Sequence, residues 1–325
     1  MSLTTIQKPI EVEFIAFKEY YATLFRSNVP LLDRALLHVS ATSGKMMRPM
    51  LVLLTAKSVG GTVCECTNYA AAALELLHTA SLLHDDVVDE SPMRRGLPSL
   101  HTLFSNRVAI LAGDYVFSSS LQNAALTKNV EIIENLSILG QNLSQGELLQ
   151  LQLQHKGGFC EENYIEVIRN KTASLFATCC RFGALSVGAD AATVDAFARF
   201  GDLLGICFQI KDDIFDYYDS ENVGKPTGSD MREGKITLPA LYVLNNSTDP
   251  FVRGLLSKLN EGYTMSDEEI VTLIKLSKEQ GGIEYALKRI EEFRAEALSV
   301  IPASVPDELR NALTLYLDFA ISRNK

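Results

Sequence analysis

Apolar side chains recur at intervals of three and four residues along most of the chain, as in Ile10, Phe14, Phe17, Tyr21 and Phe25. This spacing matches one face of an α-helix, and no stretch alternates apolar and polar positions long enough to indicate strands. The pattern predicts about ten or more helices. The breaks between them fall in segments rich in glycine, proline and small polar residues, at 43–49, 60–62, 91–99, 156–158, 221–234 and 245–250.

None of these breaks is a long linker rich in proline and serine. We therefore expect residues 1–325 to form one all-α domain, a large helical bundle. The segment 68–89 is almost continuously apolar and must be surrounded by other helices. A polar side chain within that segment needs a specific reason.

Composition narrows the class of protein. With 47% hydrophobic and 22% charged residues, the chain can bury a large core and differs from disordered or collagen-like sequences. The net charge of −10 argues against nucleic-acid binding through a general basic surface. No apolar run approaches the ~18 residues of a membrane span, and we expect a cytoplasmic protein. The six cysteines form no CxxC pair, which favours reduced core thiols over zinc sites or disulfides.

Two carboxylate clusters carry aspartates at positions i, i+1 and i+4. Their members are Asp85, Asp86, Asp89, Asp212, Asp213 and Asp216. Positions i and i+4 share one helix face, so Asp85 with Asp89, and Asp212 with Asp216, can each bind a cation. The flanking residues are mostly apolar, and buried carboxylates are costly unless they protonate or bind metal. Aspartate oxygens without nearby cysteine indicate Mg²⁺, which shares its coordination sphere with substrate phosphates.

Basic residues in three loops supply the matching positive charge. They are Lys45 and Arg48 in SGKMMRP, Arg94 and Arg95 in SPMRRGLP, and Lys225 and Lys235 in GKPTGSDMREGK. Arginine suits bidentate phosphate recognition, and lysine acts as a point charge. Any one pair would be an ordinary surface patch, but the last two pairs follow closely after an aspartate cluster. Together they predict a site where Mg²⁺ and basic side chains surround a diphosphate at the end of an apolar cavity.

At these residues the chain resembles the trans-polyprenyl diphosphate synthases, which elongate isoprenoid chains head to tail. The matching segments are SGKMMRP, HTASLLHDDVVDESPMRRG, GDYVF, KTASLF, FQIKDDIFD and GKPTGSDMREGKITLP. The resemblance implies an all-helical fold of the isoprenoid synthase type, usually homodimeric, with the two clusters facing each other across a central cavity. In the first motif, Ser43 and Met46 replace a glycine and a basic residue that are common in the family.

The resemblance also implies roles for individual residues. It places all six aspartates and Lys171 in the catalytic machinery, with Asp85, Asp89 and Asp212 as ligands of about three Mg²⁺ ions. It assigns isopentenyl diphosphate to Lys45, Arg48, His78 and Arg95. It assigns the allylic diphosphate to Arg94, Lys171, Thr172, Gln209, Lys225 and Lys235. Glu147 and Gln150, in GELLQLQ, match a further family pattern, and we expect them to support the site indirectly.

The implied reaction begins with metal-assisted loss of the allylic diphosphate group, which the basic side chains stabilise. The double bond of isopentenyl diphosphate then attacks the allylic cation, and released pyrophosphate accepts the final proton. Closure of the loop 221–234 would exclude water, which would otherwise trap the cation as an alcohol.

Three other functions compete with this interpretation. A terpene cyclase shares the first aspartate cluster, but its second metal motif differs from DDIFD. A metal phosphohydrolase could use His38, His84 and Asp85, but it leaves the second cluster unexplained. A non-catalytic partner of a heteromeric synthase would be expected to have lost aspartates or basic residues that this chain retains.

Product length is predicted from the residues one turn before Asp85. Ala80 and Ser81 are small there, and Leu77 continues an apolar lining along the same helix. We therefore predict a long product, octaprenyl diphosphate first and heptaprenyl or nonaprenyl diphosphate next, which would serve as a quinone side chain. Farnesyl or geranylgeranyl diphosphate is the short-chain alternative. A neighbouring helix at Leu136–Leu143 is expected to close the cavity. Small residues that only allow two helices to pack closely are the other explanation.

Overall fold

The computed structural model describes residues 3–42, 44–156, 158–218 and 227–322. The chain forms two compact units. The first comprises Met1–Gly140, Thr178–Ala198 and Pro302–Leu313, and the second comprises Gln141–Ala177, Arg199–Ile301 and Thr314–Lys325.

The described residues are almost entirely helical, which confirms the predicted all-α fold. The helices are α1 (Leu3–Gln7), α2 (Glu11–Thr23), α3 (Pro30–Ala41), α4 (Met47–Ser58), α5 (Glu65–Val88), α6 (Leu100–Leu103), α7 (Asn106–Leu126), α8 (Val130–Lys156), α9 (Glu161–Ile168), α10 (Ser174–Ser186), α11 (Ala191–Phe215), α12 (Ser229–Arg232), α13 (Leu238–Asn246), α14 (Pro250–Asn260), α15 (Asp267–Glu279), α16 (Gly282–Val300) and α17 (Asp307–Ser322). A 3₁₀ turn, Lys8–Ile10, joins α1 to α2, and a π-helical turn, Arg169–Ala173, joins α9 to α10. Helices as short as α6 and α12 are single turns that periodicity does not detect.

Strand structure in the described residues is confined to one small hairpin. Its strands, β1 (Met93–Arg94) and β2 (Leu97–Pro98), are antiparallel. The two residues between them, Arg95 and Gly96, have φ values of +51° and +80°. A two-residue turn with both φ values positive normally prefers Asn-Gly, so Arg95 adopts a conformation that costs an arginine about 1 kcal/mol. Such local strain is typical of functional positions.

The core of the first unit is built around α5, which packs against α7. Four consecutive alanines of α5, Ala70–Ala73, are fully buried. Their small side chains allow the two backbones to approach closely, and Ser120 Oγ of α7 donates a hydrogen bond of 2.7 Å to the carbonyl of Ala73. The apolar part of α5 is therefore held rigidly, and its polar end lies at Asp85–Asp89.

The core of the second unit holds α13 against α16. A Cβ atom on Gly282 would lie 2.4 Å from the carbonyl oxygen of Pro239, so only glycine permits this approach. Tyr217, just after α11, accepts a hydrogen bond of 3.1 Å from the amide of Ala240 and shares one of 2.9 Å with Thr237 Oγ1. These contacts anchor the end of α11 to the start of α13.

No helix among the described residues combines the length and apolarity needed to cross a membrane. All six cysteines carry free thiols. Cys179, Cys180 and Cys207 are buried, as predicted for core thiols. The prediction is wrong for Cys64, which is exposed because it occupies the N-cap of α5.

Candidate active site

Both aspartate clusters lie at the C-terminal end of a long helix. Helix α5 ends at Val88 with Asp89 as its C-cap, and α11 ends one residue before Asp216. Carboxylates are unfavourable at this end of a helix, because the terminal carbonyl groups already carry partial negative charge. The concentration of aspartates there favours a role in binding a cation.

In the first cluster, the middle aspartate is directed into the protein. Asp86 is buried, whereas Asp85 and Asp89 are exposed. The Nε of Arg94 donates to both carboxylate oxygens of Asp86, at 2.7 and 2.8 Å, and its Nη2 lies 2.5 Å from Oδ1. Arg94 was predicted to contact the allylic diphosphate, and in this structure its guanidinium group pairs with Asp86.

The second arginine of the pair, Arg95, extends from the tip of the hairpin. Its Nη1 donates a hydrogen bond of 2.8 Å to the carbonyl of Thr42. A Cβ atom on Gly44 would lie 2.7 Å from the guanidinium carbon of Arg95. Gly44, in the loop that also carries Lys45, therefore leaves the space that this guanidinium group occupies.

Arg95 belongs to a charged group inside the first unit. Burial lowers the pKa of His78 well below its usual value, and the positive charges of Arg48, Arg95 and Arg94 lower it further. The imidazole is therefore neutral near pH 7. Three of the four residues predicted to bind isopentenyl diphosphate thus lie close together, and Lys45, the fourth, is exposed in the preceding loop.

Glu75 is a member of this group that the sequence analysis did not identify. Its carboxylate is buried, and Oε2 has no hydrogen-bond partner among the described residues. Burial raises the pKa of Glu75, and the charges of Arg48 and Arg95 oppose that rise. The available signal is that Glu75 is the single acidic residue between positions 68 and 84 of this apolar helix.

In the second cluster, the middle aspartate is again directed into the protein, but its partners are neutral. Tyr164 donates a hydrogen bond of 2.7 Å to Asp213 Oδ2, and Gln209 Nε2 donates one of 2.8 Å to Oδ1. Burial raises the pKa of Asp213 to about 8, and the nearby carboxylate of Asp230 contributes to the rise. Asp230 lies in the quoted segment GKPTGSDMREGK but has no role assigned from the sequence, and nothing in the local pattern distinguishes Tyr164 from other helix residues.

Asp216, the last aspartate of the second cluster, organises the following segment. Its two carboxylate oxygens accept hydrogen bonds of 3.0 and 3.1 Å from the amides of Ser229 and Asp230 at the start of α12. The amide of Lys235 in turn donates 2.8 Å to the carbonyl of Asp230. Asp216 therefore fixes the backbone that carries Asp230 and Lys235.

Lys171 and Thr172 are presented by the π-helical turn, a distortion that is frequent at functional sites. The ammonium group of Lys171 pairs with the carboxylate of Glu147 and lies 3.5 Å from Gln150 Oε1. The hydroxyl of Thr172 donates 2.7 Å to Gln209 Oε1. The structure thus brings together Lys171, Thr172, Gln209 and Asp213.

These residues line a cavity of about 160 Å³ within the second unit. Its polar lining residues include Gln150, Lys171, Thr172, Gln209, Asp213, Asp230 and Lys235, and its apolar lining residues include Leu153, Phe159, Val167, Ile168, Ile236 and Leu241. The ammonium group of Lys235 lies 2.5 Å from Glu233 Oε2. Lys225, also predicted for this site, lies outside the described residues.

The residues predicted to control product length lie on α5. Leu77 and Ala80 are buried, and Ser81 is half-buried. Ser81 Oγ donates a hydrogen bond of 2.9 Å to the carbonyl of His78, which fixes its side chain against its own helix. In the predicted closing segment of α8, Leu136 and Leu139 are buried.

The donor chemistry of both clusters fits a hard divalent cation. Among the described residues, no three His, Cys, Asp or Glu side chains are grouped as a complete metal site. Mg²⁺ is commonly held by one or two carboxylates, with water and substrate phosphate oxygens as its other ligands. The helix-terminal aspartates suit that shared mode of binding.

The sequence profile of the polyprenyl synthetase family matches residues 29–275. The chain belongs to this family. An all-trans-nonaprenyl-diphosphate synthase (geranyl-diphosphate specific) of Rhodobacter capsulatus is 33% identical over 320 residues, which cover 98% of this chain and 97% of that protein. The crystal structure of a geranylgeranyl pyrophosphate synthase from Bacteroides thetaiotaomicron is 46% identical, with a TM-score of 0.83 and 99% of both chains covered.

A further solved structure is a polyprenyl synthase from Caulobacter crescentus CB15, complexed with calcium and isoprenyl diphosphate. It is 30% identical with a TM-score of 0.88, and the match covers 99% of this chain and 98% of that chain. Family membership makes the protein a trans-prenyltransferase and confirms the resemblance found in its motifs. The products named for these relatives range from geranylgeranyl to nonaprenyl diphosphate, so product length depends on features that vary within the family.

Proposed function

We propose that the protein condenses an allylic diphosphate with successive isopentenyl diphosphates, in a Mg²⁺-dependent reaction, to form a long all-trans polyprenyl diphosphate. The observation that carries this proposal is that each aspartate cluster ends a helix and has arginine or lysine side chains from its own unit nearby. Carboxylates that bind a metal, next to cations that bind phosphate, form a site for a metal diphosphate.

In the first unit, Asp85 and Asp89 would hold Mg²⁺. Lys45, Arg48 and Arg95 would bind the diphosphate of isopentenyl diphosphate, and His78, which is neutral, would donate a hydrogen bond to it. The position of Arg95 beside the loop that carries Lys45 supports this role, because it brings a second phosphate-binding cation close to that loop.

In the second unit, Asp212 would hold Mg²⁺. Lys171, Thr172, Gln209, Lys225 and Lys235 would bind the allylic diphosphate. Lys171 and Lys235 each have a glutamate partner, Glu147 and Glu233, which a diphosphate would replace. Both lysines line the cavity and can contact an anion bound there.

When bound, Mg²⁺ would neutralise charge that develops on the departing diphosphate. Lys171 and Lys235 add positive charge at the same oxygens and would favour breakage of the carbon–oxygen bond over mere binding. The double bond of isopentenyl diphosphate then forms the new carbon–carbon bond, and one proton leaves. Since Asp85, Asp89 and Asp212 are assigned to metal, released pyrophosphate is the base in this proposal.

For product length, we propose octaprenyl diphosphate. Ala80 and Ser81 add little volume one turn before Asp85, and Ser81 Oγ bonds to its own helix rather than extending outward. Leu77 continues the apolar surface by another turn. A growing prenyl chain would therefore meet no bulky side chain from these positions.

Geranylgeranyl diphosphate is a second candidate product. It is favoured by the 46% identity to the Bacteroides thetaiotaomicron structure described as a geranylgeranyl pyrophosphate synthase. The two candidates differ in where the chain stops and share every residue of the proposed diphosphate sites.

One assay tests both proposals. The purified protein is incubated with labelled isopentenyl diphosphate and dimethylallyl, geranyl or farnesyl diphosphate, with Mg²⁺ or with a chelator, and the extracted products are sized by chromatography. We expect metal-dependent synthesis of a product of about eight isoprene units. A product that stops at four units supports geranylgeranyl diphosphate, and no metal-dependent product would contradict the proposed function.

Substitutions at Ala80 and Ser81 test whether these positions control the length of the product. Ala80→Phe or Ser81→Phe should shorten the product while leaving the first condensation nearly unchanged. Ser81→Ala is the matched control, because it changes the same position without adding volume, and it should keep the wild-type product. Phe variants that still make the wild-type product would show that this face of α5 does not limit the chain.

We also propose a homodimer. Helix α7 exposes a set of large apolar side chains, Ile110, Leu111, Tyr115, Phe117 and Leu121, and such a surface is typical of an interface. Light scattering after gel filtration should give twice the mass of the chain, and Leu111→Glu should lower it. We further propose a cytoplasmic location and a quinone side chain as the use of the product.

A further inference from the structure

Tyr164 is a buried phenol of α9 that has no role in the proposed chemistry. We infer that it is a positioning residue for the second aspartate cluster: its hydroxyl holds Asp213 in one orientation and thereby directs Asp212. This inference rests on the proposed function, in which Asp212 is a metal ligand.

The contacts of Asp213 join three parts of the second unit. Tyr164 of α9 donates a hydrogen bond of 2.7 Å to Oδ2, and Gln209 of α11 donates one of 2.8 Å to Oδ1. The carbonyl of the Gln209 side chain accepts 2.7 Å from Thr172 of the π-helical turn. Each oxygen of Asp213 therefore has one donor, and the hydroxyl of Tyr164 is the donor that comes from α9.

The location of Asp213 explains why such an anchor is needed. Asp212 and Asp213 lie in the last turn of α11, where the regular helical hydrogen bonds end and the carbonyl of Asp213 instead accepts a hydrogen bond of 3.2 Å from the amide of Asp216. Consecutive residues of a helix point about 100° apart, so fixing Asp213 toward α9 also fixes the direction of Asp212. A metal ligand must be held close to its productive geometry by residues behind it.

A phenylalanine at position 164 would fill nearly the same space, so the hydroxyl group itself can be tested. Tyr164→Phe should weaken metal binding at this cluster about tenfold, as expected for a lost hydrogen bond to a carboxylate. The Michaelis constant for isopentenyl diphosphate should stay within about twofold, because its proposed ligands lie in the first unit.

Tyr285→Phe is the matched control. Tyr285 also donates to a carboxylate in the second unit, with 2.5 Å between its hydroxyl and Glu161 Oε2, and it does not line the cavity. The full-length wild-type protein and both variants are titrated with Mn²⁺ in the presence of inorganic pyrophosphate, with free Mn²⁺ followed by electron paramagnetic resonance. Mg²⁺ activation curves for product formation give the second measurement. Tyr285→Phe should match the wild type in both.

The combination with Asp213→Asn tests whether Tyr164 acts through Asp213. If it does, adding Tyr164→Phe to Asp213→Asn should shift the Mn²⁺ midpoint by less than about twofold. The same pair serves if Tyr164→Phe alone fails to fold, because a neutral asparagine is less costly to bury without the phenol. A tenfold shift on the Asp213→Asn background would overturn the inference.

Two further outcomes separate this inference from the function on which it rests. An active, metal-dependent wild type whose Tyr164→Phe variant has an unchanged Mn²⁺ midpoint contradicts the inference and leaves the proposed function intact. That result includes a variant that changes only the Michaelis constant for the allylic substrate, which would make Tyr164 a substrate contact. A wild type without metal-dependent product contradicts both.

Discussion

The two aspartate clusters have the same spacing and the same place at a helix end, but opposite electrostatic surroundings. In the first unit, Asp86 pairs with Arg94, and Arg48 and Arg95 lie near His78. In the second unit, the partners of Asp213 are the neutral side chains of Tyr164 and Gln209, and the nearby Asp230 adds negative charge.

This difference shows that one motif can be stabilised in two ways. The cationic surroundings of the first cluster supply internal positive charge and suit the binding of a free diphosphate. Among the described residues, no cation pairs with the middle aspartate of the second cluster, and burial raises the pKa of Asp213 to about 8. In the proposed function, a metal ion would add positive charge at this cluster, besides Lys171 and Lys235 of the same cavity.

The largest loss of turnover is expected from substitutions that remove a proposed metal ligand from either cluster. Asp85→Ala and Asp212→Ala should each lower turnover by at least about 100-fold, because each removes a ligand for the ion that stabilises the leaving diphosphate. Both should fold, since removing one of several neighbouring carboxylates relieves repulsion. Circular dichroism and product assays at saturating Mg²⁺ provide the measurement.

Asp195→Ala is the control for these variants, because Asp195 lies on α11 far from the cluster in sequence and forms an exposed ion pair with Arg181. It should retain wild-type turnover. Near-normal activity of Asp85→Ala would contradict the metal assignment of the first cluster.

The second prediction compares the middle aspartates. In the presence of a chelator at pH 7, Asp86→Asn should lower the free energy of unfolding by about 2 kcal/mol, because it leaves Arg94 without its buried counter-charge. Asp213→Asn should change it by less than about 0.5 kcal/mol, since its partners are neutral and an amide can satisfy them. Urea unfolding measures both, and equal losses would show that the two surroundings are equivalent.

The third prediction separates the two diphosphates. Arg95→Lys should raise the Michaelis constant for isopentenyl diphosphate about tenfold, because lysine loses the bidentate geometry of the guanidinium group. Lys171→Ala should instead affect the allylic substrate or the rate of its ionisation. Initial-rate kinetics with each substrate varied in turn gives the answer, and identical effects of both variants would refute the division between the units.

The smallest effect concerns pH and the cations of the first unit. His78 has a folded-state pKa below its unfolded value, so the stability it contributes is present above about pH 6.5 and is lost as pH falls through the folded pKa. Between pH 7 and pH 5.5, the free energy of unfolding of His78→Gln should therefore fall by about 1 kcal/mol less than that of the wild type. Glu75 contributes to the pH dependence of stability in both proteins, and its contribution cancels in the difference between them. Parallel pH profiles from urea unfolding would mean that neither burial nor the nearby cations lower the pKa of His78 in the folded protein.

Much of the site could be predicted from local spacing. The two DDxxD clusters, the arginine pair and the lysines near Thr172 and Gly234 are visible because their residue types recur at helix or loop intervals. The different surroundings of Arg94 and Arg95 could not be predicted. Arg94 ends strand β1 and contacts Asp86, whereas Arg95 lies in the hairpin turn and contacts Thr42. Glu75 and Tyr164 were missed for a related reason: their partners are distant in sequence or lie on other elements.

The apolar period near 3.6 residues is sufficient to predict the all-α fold, and the residue types alone show which side chains carry charge and where the clusters lie. Which aspartate of each cluster is directed inward, and whether a cation or a neutral donor contacts it, follows from the folded structure alone. That choice depends on Arg94 crossing back from the hairpin to Asp86, and on α9 bringing Tyr164 to Asp213 across 49 positions of chain. Burial and pairing energies act between atoms that are close in space. Local spacing along the chain does not show which distant groups become neighbours in the folded protein.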